Sequence, residues 1–135
     1  MCNLFVVDDD LLDQFIIKLN LVNYPVFKKT SYFKNGKLLL DFLQENKNDH
    51  PALPDVIFLD LTMPIINGWK VLEVMNDINS TLCKDIVVYI VTASVFTSDK
   101  IRAREYSFVK EFFSKPLYKE NYMAISDMAE NLYEG

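Results

Sequence analysis

Five short apolar runs alternate with longer stretches of helical periodicity, and this alternation leaves few folds open. The runs are Leu4–Val7, Val26–Phe27, Val56–Leu59, Ile86–Val91 and Phe112–Phe113. Each is too short for a helix, and Ile86–Val91 is the most β-branched stretch of the chain. After the first run, Leu11, Leu12, Phe15, Ile16 and Leu19 recur at three- and four-residue steps. They predict an amphipathic helix, started by an Asp cap, that packs this stripe on one face of the sheet. Leu38, Leu39, Phe42 and Leu43 predict a second helix opening near Asn35–Gly36, and Trp69, Val71, Leu72 and Met75 a third. Ser98–Tyr106 is polar and weakly periodic; a helix there has a thin apolar face, mainly Ile101 and Ala103, so its packing is marginal and the segment mobile. Tyr122, Ile125, Met128, Ala129 and Leu132 predict a last helix. Such alternation implies an α/β domain built on a parallel sheet with right-handed crossovers. Residues 50–54 read as loop, and there is no internal repeat.

At 135 residues the chain suits one domain, long enough for a proper core and too short for a separate output domain. A net charge of −5 argues against the basic face that nucleic-acid binding calls for. The cysteines, Cys2 and Cys83, lie far apart in no metal-binding spacing, as expected of a reduced intracellular protein. The N-terminus lacks a signal-peptide pattern, and no apolar run approaches the ~20 residues that cross a bilayer, so the expectation is a cytoplasmic protein without membrane contact. Glu134–Gly135 could be residues added for expression, and a longer natural protein cut at this boundary stays open.

The chemistry sits where the runs stop. Val56–Leu59 ends in Asp60, which opens the loop of LDLTMPIING. In open α/β sheets, ligand chemistry gathers beyond the carboxyl ends of the strands. Leu4–Val7 ends in Asp8, Asp9 and Asp10; Ile86–Val91 leads to Thr92, Ala93 and Ser94; Phe112–Phe113 leads to Ser114, Lys115 and Pro116. Three strand ends therefore offer acids, a hydroxyl and a lysine around Asp60. Phosphoryl transfer needs these groups: a nucleophile, a hard cation on the phosphoryl oxygens, and further positive or hydrogen-bonding groups for the spreading charge. Convergent carboxylates demand a cation, and hard oxygen ligands favour Mg²⁺ or Mn²⁺ over zinc.

Over essentially its whole length the chain resembles the receiver domain of two-component response regulators, of the single-domain, chemotaxis-regulator-like kind. The resemblance rests on Asp8–Asp9, Asp60 in LDLTMP with Asn67–Gly68 after it, Thr92 in VTAS and Lys115 in SKPL, all in order and each closing an apolar run. The intervals between them accommodate one strand and one crossover helix.

The resemblance implies a flavodoxin-like, doubly wound five-stranded parallel sheet of order 2-1-3-4-5 flanked by five helices, spanning residues 1–135. It implies that Asp60 is the phosphoacceptor and that Asp9, Asp60 and the main-chain carbonyl of Thr62 bind the metal, with Asp8 acting through water. Thr92, Ala93 and Lys115 would hold the phosphoryl group, with a cis Lys115–Pro116 bond. Thr92 and Phe112 would form the switch, and Thr62 and Ser94 would tune phosphoryl lifetime. As neither Thr62 nor Ser94 brings a carboxylate or amide to position water, slow self-dephosphorylation is expected. The implied partners are a histidine kinase or histidine phosphotransfer protein and a downstream protein target, bound through the fourth helix, fifth strand and fifth helix, with homodimerisation open. The implied role is signalling rather than turnover of a substrate.

Each residue also has a plainer reading: Asp60 as a loop or capping acid, Lys115 as a solvated lysine, Thr92 as a β-branched strand residue. Asp10 reads as the helix cap, Phe113 and Trp69 as packing aromatics, and His50 as an exposed loop residue. Two other functions compete. A phosphatase using an aspartyl phosphate carries a second acid two residues past the nucleophile, where this chain has Thr62. A binding module without the chemistry would be expected to have lost an acid, the threonine or the lysine, and all are present.

Overall fold

The computed structural model describes residues 2–25 and 27–134, with side chains as far as 131. In chain order the elements are β1 (Cys2–Val7), α1 (Leu11–Leu21), β2 (Phe27–Phe33), α2 (Gly36–Glu45), β3 (Val56–Leu59) and α3 (Gly68–Ile78). A 3-10 turn (Asn79–Thr81), β4 (Val87–Thr92), α4 (Thr97–Ala103), β5 (Val109–Ser114) and α5 (Lys119–Glu134) follow. All strand pairings are parallel, and the sheet order is β2-β1-β3-β4-β5, the flavodoxin-like arrangement expected.

Alternation along each strand divides the core into two layers. Phe5, Val7, Ile57, Leu59, Val88 and Ile90 face α2 and α3. Leu4, Val6, Val56, Phe58, Tyr89 and Val91 face α1 and α5, where Ile17 and Ile125 meet them. Trp69 and Phe113 pack as expected, one against each layer. Val7 pairs with Leu59, Leu59 with Ile90 and Ile90 with Phe112, so four strands end level with one another. Helix starts follow the local sequence: Asp10 accepts from the amides of Leu12 and Asp13, Asn35 from Leu38 and Asn67 from Lys70. Each such cap is worth about 1 kcal/mol.

Three expectations need correction. Val26 lies outside the described residues, and β2 is the polar stretch from Phe27 to Phe33, far longer than the two apolar residues suggest. It is an edge strand, with Lys28 and Lys29 exposed, and an edge is where a polar strand is tolerated. The opposite edge, β5, likewise exposes Lys110 and Glu111.

The second correction concerns α1. Its apolar stripe does not face the sheet: Leu11, Leu12, Phe15, Ile16 and Leu19 are 41–70% exposed, and the helix buries Ile17 with Asp13, Gln14, Asn20 and Leu21 half-buried beside it. Polar bonds fix this roll. The Gln14 amide donates to the Asp8 carbonyl at 2.7 Å, and Asp13 takes a hydrogen bond from Lys115. Third, α4 stops at Ala103, which is its buried residue, while Ile101 is exposed. Instead, the Arg102 guanidinium lies 4.1 Å from the Trp69 ring centroid, joining α4 to α3 by a cation–π contact.

Candidate functional site at the carboxyl ends of the strands

The strand ends carry the acids to one place. The Asp8 amide donates to the Phe33 carbonyl and the Asp60 amide to the Val7 carbonyl, each at 3.0 Å, so both residues continue the ladder one step beyond their strands. Asp8 is 2% and Asp60 6% exposed, while Asp9 is open to solvent. Each offers a carboxylate oxygen, and these lie within 4.8 Å of one another, spacing that suits a hard, oxygen-seeking divalent ion.

Lys115 arrives from β5, its amide donating to the Thr92 carbonyl at 2.7 Å and its bond to Pro116 cis. The ammonium donates to Asp8 at 2.7 Å, Asp13 at 2.8 Å and Asp60 at 3.1 Å. Burial works against its charge, but the hydrogen bonds to Asp13 and Asp8 hold the ammonium above the ordinary lysine range. Burial pushes the Asp8 carboxyl up to about 6, although Lys115 and the Asp10 amide both oppose the rise.

Thr92 ends β4 fully buried, and its hydroxyl has no hydrogen-bond partner among the described residues. An unsatisfied buried hydroxyl costs about 1–3 kcal/mol. By strand alternation it shares a face with Ile90 and with the half-buried Phe112. Ala93 is exposed, and the Ser94 hydroxyl is bonded to Asp99 of α4. Thr62 is exposed, and its amide donates to the Asp60 carboxylate at 3.2 Å. Asp10 is the α1 cap, as expected, and His50 is exposed in its loop.

Two supports complete the site: Gly68, already part of the motif, and Asp13, which the motif reading misses. Gly68 opens α3 with its amide bonded to the Leu61 carbonyl at 2.9 Å; a Cβ there would fall onto the Asp60 carbonyl oxygen. Between them the chain turns tightly at Ile65, which adopts φ +68°. The other support is Asp13, a fourth acid in reach of the lysine. Its signal is modest: an acid in the first turn of the helix that directly follows the acidic pair.

Comparison with known proteins agrees with this geometry. The pattern described as "Response regulator receiver domain" matches residues 4–126. Hybrid signal transduction histidine kinase I of Dictyostelium discoideum is 33% identical over 112 residues, 83% of this chain but only 6% of that protein. A two-component response regulator from Cytophaga hutchinsonii superimposes with a TM-score of 0.84 at 20% identity, covering 96% of both chains. One from Legionella pneumophila gives 0.80 at 22% identity, covering 97% of this chain and 99% of that one. With strand order, strand-end acids and sequence pattern in agreement, the chain belongs to the response regulator receiver domain family.

Proposed function

We propose that this receiver takes a phosphoryl group onto Asp60 from a phosphohistidine of a histidine kinase or histidine phosphotransfer protein. A carboxylate oxygen of Asp60 attacks phosphorus, the P–N bond breaks, and the imidazole leaves with the bonding pair and takes up a proton. The observation that carries this reading is the convergence of the Asp8, Asp9 and Asp60 oxygens within 4.8 Å under the Lys115 ammonium. Mg²⁺, or Mn²⁺, held by Asp9, Asp60 and the Thr62 carbonyl with Asp8 through water, would neutralise charge on the phosphoryl oxygens. Lys115 and the Thr92 hydroxyl meet the remaining oxygens, and the exposed Ala93 leaves room for them.

Moving the Thr92 hydroxyl toward the phosphoryl group frees space on the face it shares with Phe112, and the ring turns inward. The surface of α4, β5 and α5 then changes, and a downstream protein or a second copy of the chain reads it. Phe112 has no phenolic hydroxyl, so recognition there is by packing. The donor approaches elsewhere. In-line transfer holds it against the strand ends, beside the exposed apolar stripe of α1. Among the described residues no helix is long and apolar enough to cross a membrane; we place the protein in the cytoplasm, as a signalling domain whose only chemistry is the gain and loss of its own phosphoryl group.

Intact-mass analysis after incubation with a small phosphodonor, with and without Mg²⁺, tests the reading. One phosphoryl adduct that needs the metal and is absent in Asp60→Asn supports it. A folded, Mg²⁺-binding protein that gains no adduct would instead be a phosphorylation-independent binding module.

A further inference from the structure

The Lys115 ammonium has three N–H donors, and three carboxylates take them: Asp8, Asp13 and Asp60. A phosphoryl oxygen can reach this ammonium only by displacing one of them. Asp60 holds the ammonium most loosely, at 3.1 Å, and carries the incoming group, so one phosphoryl oxygen takes over that donor; a second phosphoryl contact must displace Asp8 or Asp13. Asp8 has a 3% exposed side chain, so losing the lysine would leave a buried carboxylate without a countercharge. The Asp13 side chain is 32% exposed, and water can replace the lysine there at little cost. Asp13 also sits in the first turn of α1, where the helix N-terminus favours an anion.

Building on the receiver reading, we propose that Asp13 is a positioning residue that competes with the phosphoryl group for Lys115, holding the ammonium in the resting state and surrendering it on phosphorylation. Asp13 thereby raises the free energy of the phosphorylated state relative to the resting one. It does so in two ways: its salt bridge must be given up, and its charge repels the new anion. Removing that charge should therefore tighten the binding of a phosphoryl-like anion. A residue that merely braced Lys115 for its task would have the opposite effect.

The test is a calorimetric titration of beryllofluoride, a phosphoryl mimic, at saturating Mg²⁺, with the native sequence, Asp13→Asn, Asp13→Ala and Asp13→Glu. The expected result is a half-saturating concentration about three- to tenfold lower for Asn and Ala, the size of a partly exposed ion pair, with Glu returning toward the native value. Thermal melts in Mg²⁺ show whether each variant is folded. Unchanged or weaker binding by folded Asn and Ala variants overturns the proposal while leaving the receiver reading intact. Absence of Mg²⁺-dependent binding by the native sequence overturns both.

Discussion

The Lys115 ammonium lies 3.1 Å from the Asp60 carboxylate although the two residues follow β5 and β3, with β4 between them. The side chain reaches across the end of the intervening strand and, at 16% exposed, leaves solvent to do so. Its worth lies in what it neutralises. Lys115→Ala strands the buried Asp8 and should cost about 2–3 kcal/mol in metal-free urea denaturation at pH 7, less than the loss typical of a fully buried pair because Asp8 can take a proton. Mg²⁺ should recover part of that loss. A variant as stable as the native protein in chelator would mean that the lysine contact contributes nothing to the resting state.

The raised Asp8 carboxyl gives stability an unusual slope. Between the ordinary value of 3.8 and about 6, the folded state holds a proton that the unfolded chain has released. Stability therefore falls as pH rises through that window, and the full cost, on the order of 3 kcal/mol, is present above it. Metal-free urea midpoints should be higher at pH 5 than at pH 7. The difference should shrink in Asp8→Asn, and Mg²⁺ should reverse it by binding more strongly as the proton leaves. Equal dependence on pH in Asp8→Asn would assign the effect to other groups.

Gly68→Ala should be more damaging than a surface glycine replacement. The new methyl would meet backbone, the Asp60 carbonyl and Leu61 Cα at 2.7 Å, and backbone cannot step aside as a side chain can. At Gly36 the nearest obstacle is a side chain, Cγ2 of the buried Val71, with the Ile66 carbonyl farther off at 3.2 Å. We expect a loss of about 2–3 kcal/mol at Gly68 and a smaller one at Gly36, with Mg²⁺ affinity reduced only at Gly68. Calorimetric titration of Mg²⁺ into both variants separates stability from site geometry.

On α1, Leu12→Ser and Phe15→Ser should each change stability by less than about 0.5 kcal/mol, whereas Ile17→Ala should cost about 2–3 kcal/mol. Both serine variants should accept phosphoryl groups from a small donor at the native rate and more slowly from a protein donor. Large destabilisation by either serine would show that the stripe is packed after all.

That contrast also marks how far the sequence can be read. Element order follows from the alternation of apolar runs with helical periodicity, and sheet order from the family resemblance; the meeting of Asp8, Asp9, Asp60 and Lys115 follows from strand-end motifs, because a parallel sheet with level strand ends brings those positions together. The caps at Asp10 and Asn35 are legible for a local reason: a side-chain oxygen has the first-turn amides within reach. The roll of α1 is not, since periodicity counts apolar residues and cannot weigh Gln14 bonding to Asp8 or Asp13 bonding to Lys115 across the fold. β2 was shortened for a related reason: an edge strand is held by backbone pairing with β1 and needs no apolar run of its own. Asp13 went unnoticed because a first-turn acid has an adequate local explanation in the helix dipole.

The two borders of the sheet remain. Lys28 and Lys29 on one side and Lys110 and Glu111 on the other place charge along both strands that have a free flank. Extending the sheet from one molecule to the next would bring these charges into contact, so crowding does not readily thread copies into fibres. Growth through either border of the sheet is thereby disfavoured at any concentration, and the parallel sheet stays the size that one chain gives it.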